Sequence, residues 1–265
     1  MLVHSKGARR AVWAVFFVLF VPLFALPLLV VVVASFAGSW SGALPSGATL
    51  AHYRDLARGD ATTALLVSVA TALTASLAAL TAGTWAALAA ERLGRRTRRL
   101  VDALFVLPLA VPSVAVGLSL LVAFSQPPLL LNGTPQIVII AHAVLVTAFA
   151  YQSVTAALAR LDPAYEQSAA GLGARPGYVL RRVKLPLLLP SLTAAAGLCF
   201  ALSMGELSAT MMIYPPEWLP LPVQIFAATD RGSLFAGAAL AVVLMATTLL
   251  VLLGVSRIRT KASYR

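Results

Sequence analysis

Residues 160–186 read Arg160-Leu-Asp-Pro-Ala-Tyr-Glu-Gln-Ser-Ala-Ala-Gly-Leu-Gly-Ala-Arg-Pro-Gly-Tyr-Val-Leu-Arg-Arg-Val-Lys-Leu-Pro186. The stretch is polar and basic, and it lies between two long apolar runs. Asp162 is a good helix N-cap and Pro163 suits the first helical position. Glu166 falls near the positive end of the helix dipole. Gly173 tolerates the left-handed conformation that ends a helix. A second short helix is expected from Pro176, stopping before Pro186. The result is a helix-turn-helix outside the lipid. Ser168, Ala169, Ala170 and Gly171 keep its first arm slim, and basic residues stand behind it. That shape suits docking into a groove on a partner.

Working outward, six apolar segments are long enough to cross a bilayer, which takes about 20 residues. They cover about 11–36, 61–90, 104–124, 137–158, 187–213 and 234–255. The second is longer than the hydrocarbon requires and is expected to tilt or to extend beyond it. The first has a basic lead (Lys6, Arg9, Arg10) but an apolar run too long for a signal-peptide core, so it reads as a retained span. The predicted fold is all-α: a polytopic bundle of six transmembrane helices forming one domain over residues 1–265. Small residues dominate the second, fourth and sixth spans, which predicts a tight bundle. In the loop after the fifth span, Leu221–Ala228 is expected to form a short helix near the outer surface.

Composition agrees with lipid as the solvent. The chain is 60% hydrophobic and 11% charged, against roughly 25% charge in a soluble domain. The net charge of +11 could suggest nucleic acid, but the basic residues come in short bursts between apolar runs. That pattern sets topology and meets anionic lipid head groups. Of the 20 Lys and Arg, 17 fall in the N-terminal tail, the loop after the second span, the 160–186 loop and the C-terminal tail. The positive-inside rule then places both termini in the cytoplasm, as an even span count requires. Cys199 is the only cysteine, in an apolar run, so it reads as core. It allows no internal disulfide and no Cys-rich metal cluster.

The 160–186 loop resembles the coupling loop of ABC-importer permeases. That family carries E-A-A, three residues, G, nine residues, then I-x-L-P. Here Gln167-Ser168-Ala169 is followed by Gly173 and then by Val183, Leu185 and Pro186 at the family's spacing. Two positions depart from the pattern: Gln167 replaces the leading glutamate, with Glu166 one residue earlier, and Ser168 replaces the first alanine. Leu107-Pro-Leu-Ala-Val-Pro-Ser-Val-Ala-Val-Gly117 is similar to the third-helix pattern of permeases for molybdate, sulfate, ferric iron and phosphonates. Gly205-Glu-Leu-Ser-Ala-Thr210 is similar to the G-E-F-G-A segment of that branch. Tyr214-Pro-Pro and Leu221-Pro-Val look most like permeases for 2-aminoethylphosphonate.

The resemblance implies the type I ABC-importer permease fold in a bacterial inner membrane. It implies a small solute, a phosphonate or another small oxyanion first, with ferric iron, thiamine or a polyamine as alternatives. It implies that the loop, with Glu166, fits a cleft on a cytoplasmic ATPase dimer that binds ATP and Mg. It also implies a second permease subunit, the same or homologous, and an extracytoplasmic substrate-binding protein. The chain itself has no phosphate-binding G-x-x-x-x-G-K-[ST] loop, so no catalytic residue, resident cofactor or metal is expected in it.

Glu206 is the one acidic residue placed inside a span. A charged group there is costly and usually faces a bundle interior or a water-filled path. With Gly205, Ser208 and Thr210 it is a candidate for the translocation path or a gate; pairing with a neighbouring helix is the structural alternative. His142 reads as hydrogen-bonded to a neighbour, Tyr151 and Gln152 as lining an inner vestibule, and Asp102 as an interfacial residue beside the Arg cluster. An intramembrane serine protease is excluded by the lack of G-x-S-G and of a histidine in the last span. A stand-alone channel or secondary transporter would not need the loop's spacing, and no inverted repeat of broken helices is evident.

Overall fold

The computed structural model describes residues 5–42 and 45–263. Arg265 lies outside the described residues, as do the side chains of Arg58, Arg259 and Lys261. Helix α1 (Lys6–Ser35) is followed by strands β1 (Ala37–Ser39) and β2 (Ser46–Ala48), α2 (Ala51–Arg58), α3 (Ala61–Ala90), α4 (Arg95–Ala110), α5 (Ser113–Ala123) and α6 (Pro135–Leu158). Then come α7 (Ala164–Gly171), α8 (Pro176–Val179), a π-helical turn (Leu180–Lys184), α9 (Leu185–Met204), α10 (Thr210–Ile213), α11 (Leu221–Asp230) and α12 (Leu234–Ser263).

Four of the expected spans are single helices, α1, α3, α6 and α12. The third and fifth are interrupted. The third is a pair, α4 and α5, bent by 104°. Pro112 supplies no N–H and disfavours the helical conformation in Val111, which sits extended at φ −102, ψ 130. Helix α4 also begins earlier than expected, at Arg95, so its first turns are polar. The fifth expected span, 187–213, ends as a regular helix at Met204, and residues 205–209 are non-helical before α10. Glu206 therefore lies in a break between helices rather than in a helix. The all-α expectation gains a small antiparallel hairpin, in which Ala37 faces Ala48 and Ser39 faces Ser46.

Two compact units divide the chain. The first comprises the residues up to Thr62 with Gln224–Val243. In it, the Tyr53 hydroxyl donates to Ser35 Oγ at 2.7 Å and His52 Nε2 lies 3.0 Å from the Ala37 carbonyl, tying α2 to the end of α1 and the hairpin. Helix α1 is exposed along nearly its whole length, and Trp13, Phe16, Phe17, Phe20 and Phe24 stack along it.

The second unit, Thr63–Val223 with Leu244–Arg265, contains the candidate site. Its centre is a set of close helix crossings built on small residues. Ala72, Ala75, Ala79, Ala141, Ala148, Ala150 and Ala195 are all buried. A Cβ on Gly83 would stand 2.8 Å from the Tyr151 backbone nitrogen, so only glycine lets α3 approach α6 this closely. Gly117 does the same for α5 and the 205–209 break, with a Cβ only 2.6 Å from the Ala209 carbonyl oxygen. Larger side chains fill the ends: Tyr151, Val154, Leu158 and Leu188 at one, Ile137, Val138 and Ile213 at the other.

Candidate coupling loop and gate

The 160–186 loop is built largely by its own local chemistry. The Asp162 carboxylate accepts from the Ala164 backbone N–H at 2.9 Å, so it caps the start of α7 as expected. At the other end, Gly173 has φ +80. The Gly173 N–H donates to the Ala170 carbonyl at 2.9 Å and the Ala174 N–H to the Ala169 carbonyl at 3.1 Å. This is a Schellman ending, which needs a residue that accepts positive φ.

The second arm differs from expectation. It starts at Pro176 but does not stop before Pro186; it widens into the π-turn and runs straight into α9. A proline ring in a regular helix collides with the carbonyl four residues back. The Leu185 N–H instead reaches the Leu180 carbonyl, five residues back, and the chain passes Pro186 without breaking.

Gln167, Ser168 and Gly173 are exposed, Glu166 and Ala169 half-buried. Leu172, at 90% exposure, and Tyr178 stand out into solvent, an apolar tip with no partner in this chain among the described residues. Val183 and Leu185 are half-buried, Leu185 against the core of Tyr151, Leu158 and Leu188, whereas Pro186 is exposed. Clefts lie on both sides of α7. One, about 580 Å³, is walled by Trp85, Glu91, Gln167 and Val179. The other, about 620 Å³, is walled by Ser153, Arg160, Tyr165 and Ser191.

Glu166 turns inward. Its Oε1 lies 2.5 Å from Lys184 Nζ, which is also 2.6 Å from Glu91 Oε2. Partial burial alone would push the Lys184 ammonium down; its hydrogen bonds to Glu166 and Glu91, with their charges, outweigh that and hold it above its ordinary value. Lys184 follows Arg181 and Arg182 in the charged π-turn, ahead of the apolar run that enters the membrane. Neither Lys184 nor Glu91 stands out in the sequence. The only available signal was that Glu91 is a lone acid beside the basic run that follows the second span.

The candidate gate is a buried polar cluster. His142, on α6, is 3% exposed. Its Nδ1 lies 2.7 Å from Ser203 Oγ and its Nε2 2.8 Å from Thr210 Oγ1. The Thr210 hydroxyl can donate to the Glu206 carbonyl at 3.3 Å. One neutral tautomer satisfies the set: Ser203 donates to Nδ1, Nε2–H donates to Thr210, and Thr210 donates to Glu206. The imidazole thus bridges α9 and α10 across the break. Glu206 Oε1 accepts from the Ala209 N–H at 2.6 Å, capping the turn that leads into α10. The same carboxylate borders a cavity of about 190 Å³ with His142, Pro108 and Phe149. Gly205 and Ser208 are exposed and Thr210 is fully buried, so the four residues do not share one face.

Tyr151 does not line a vestibule. It is buried, stacks on Phe105 at 4.7 Å and donates its hydroxyl to Asp102 at 2.5 Å, tying α6 to α4. Asp102 is thereby a structural partner, while Gln152 is exposed.

Broken apolar helices, a slim helical arm closed by Gly173 and a lipid-adapted composition define a polytopic membrane permease. The family model for the binding-protein-dependent transport system inner membrane component matches residues 79–261, and the chain belongs to that family. It is 50% identical over 258 residues to the "Putative 2-aminoethylphosphonate transport system permease protein PhnV" of Salmonella typhimurium, covering 97% of each chain. It is 36% identical over 208 residues to the molybdenum transport system permease protein ModB of Mycobacterium tuberculosis, covering 73% of this chain and 78% of that one. The fold matches a bacterial ABC transporter involved in the import of the acidic polysaccharide alginate, with a TM-score of 0.74 at 16% identity over 97% of this chain and 98% of that one. It also matches the MetNI methionine ABC transporter, with a TM-score of 0.62 at 17% identity over 76% and 95%. The chain is thus a multi-pass inner-membrane component of a transport system, with an importer-permease fold.

Proposed function

We propose that this chain forms half of the translocation path of an ATP-driven importer for 2-aminoethylphosphonate or a closely similar phosphonate. The observation that carries the substrate is the 50% identity, over 97% of both chains, to a relative named for that compound. Residues 1–265 act as one permease domain with both termini in the cytoplasm. A second permease, identical or homologous, supplies the other half of the path, and an extracytoplasmic binding protein delivers the solute. Hydrolysis belongs to a cytoplasmic ATPase dimer, which binds ATP and Mg.

The loop geometry supports the coupling role. Its slim arm, exposed Leu172 tip and rigid Gly173 ending give a protrusion that can seat in a cleft, while Leu185 roots it in the core. Closure of the ATPase pair would move α7, and the π-turn would pass that movement into α9. At the other end of α9, the His142 cluster and the 205–209 break form the hinge at which the path opens or shuts.

The test is reconstitution of the chain with its ATPase, second permease and binding protein in proteoliposomes. ATP-dependent uptake of labelled 2-aminoethylphosphonate, displaced by the unlabelled compound but not by molybdate, is expected. ATP hydrolysis without uptake of the phosphonate would refute the substrate.

A further inference from the structure

The geometry points to Lys184 as the positioning residue that ties the loop arm α7 to the end of α3, so that both move as one body; this rests on the importer reading. Three elements distant in sequence meet at one ammonium, with Glu166 from α7, Glu91 just past α3 and Lys184 at the end of the π-turn. The Lys184 side chain is only 15% exposed, so solvent screens these pairs less than it would surface pairs.

No residue of α7 is buried, and the space between α7 and α3 is the 580 Å³ cleft walled by Trp85 and Val179. Helix α7 packs against α8 and the π-turn, and this ammonium is the charged link from it to the end of α3. The π-turn sets the aim of the lysine: one extra residue in a turn rotates everything after it by about 100° relative to a regular helix. The charge count makes the link directional. Two carboxylates share one cation, so removing the ammonium leaves Glu91 and Glu166 facing each other and repelling across the cleft.

The consequence concerns the second span. Movement of the arm would reach α9 through the covalent chain, and α3 through Lys184 beside the apolar cluster that joins Ala87 and Leu88 to Leu185 and Leu188. From α3 it would continue to α6, whose backbone α3 meets at Gly83.

The test uses the assembled complex and a distance that does not depend on the solute. Cys199 is fully buried, so cysteines introduced at Ala82 on α3 and Ala164 at the start of α7 take spin labels selectively. The label separation is measured without nucleotide and with trapped ATP. In the otherwise native chain the separation is expected to stay constant. In K184M it is expected to change with nucleotide, and solute taken up per ATP hydrolysed is expected to fall about tenfold, within the range of coupling changes carried by physical networks. The conservative K184R keeps a cation between the two carboxylates and is expected to restore both readouts. E91Q is the milder variant should K184M not assemble. A nucleotide-dependent separation in the native chain, or a constant one in K184M or E91Q, overturns the link. A native chain that recovers no ATPase instead overturns the importer reading beneath it.

Discussion

Replacing Gly117 with alanine adds one methyl group at the contact that seats the candidate gate. The new Cβ would lie 2.6 Å from the Ala209 carbonyl oxygen, 2.9 Å from its Cα and 3.1 Å from its carbonyl carbon. All three neighbours are backbone atoms, so no flexible side chain can yield. To reach an ordinary contact of 3.4 Å, α5 and the 205–209 break must separate by roughly 0.8 Å. Overpacking of this kind costs about 1–3 kcal/mol. A loss of about 2 kcal/mol lowers the melting temperature of a chain near this size by about 4–8 °C. The assay is built into the molecule: Cys199 is the only cysteine and is fully buried, so a thiol-reactive dye reports unfolding in detergent. Gly254→Ala is the control, because nothing lies within 4 Å of a Cβ there and alanine favours the helix. The expected order is G117A below wild type and G254A at or slightly above it. Equal melting of G117A and wild type would refute the close-approach argument.

Two further substitutions probe buried polar groups, and one probes the path. His142→Ala leaves the buried Ser203 hydroxyl without its partner, at a cost of about 1–3 kcal/mol; unchanged melting would remove the imidazole bridge from the account. Tyr151→Phe takes the hydroxyl from Asp102, and a hydrogen bond to a charged group is worth about 1.5–3 kcal/mol; D102N/Y151F should then melt no lower than Y151F alone. Glu206→Gln keeps an acceptor for the Ala209 N–H, so the complex should assemble and melt normally while uptake falls. Full uptake would confine Glu206 to capping its turn.

The architecture was readable where local chemistry dictates it. Alanine-rich 61–90 became one helix with the expected bounds, and Asp162 and Gly173 mark the α7 arm through a cap and a left-handed turn that any context would favour. The breaks were harder. Apolar character continues through Val111-Pro112, and the short segment 205–209 is flanked by apolar runs on both sides, so averaged hydropathy merges what backbone geometry divides. Pro112 sits at the bend, but Pro22 and Pro27 sit inside α1 without ending it, so proline alone does not decide. The π-turn was hidden because it depends on how the chain passes Pro186 to join α9. Site residues followed the same division. The slim face of α7 is written in its small side chains, whereas Glu91, Ser203 and Tyr151 lie 49 to 93 residues from their partners Lys184, His142 and Asp102. A single sequence does not show which polar side chains such long-range packing brings together.

The most direct test of the central claim is co-purification in mild detergent of the tagged chain, expressed with its ATPase. The Gly173 φ of +80 costs a residue with a side chain about 1–2 kcal/mol, so G173V should distort the α7 ending while the membrane core, distant from it, stays folded. The account predicts a stoichiometric ATPase with the native chain and its loss with G173V, at unchanged Cys199 protection. A native chain that purifies well folded and without an ATPase, or a G173V chain that keeps it in full, would contradict the coupling role of residues 160–186.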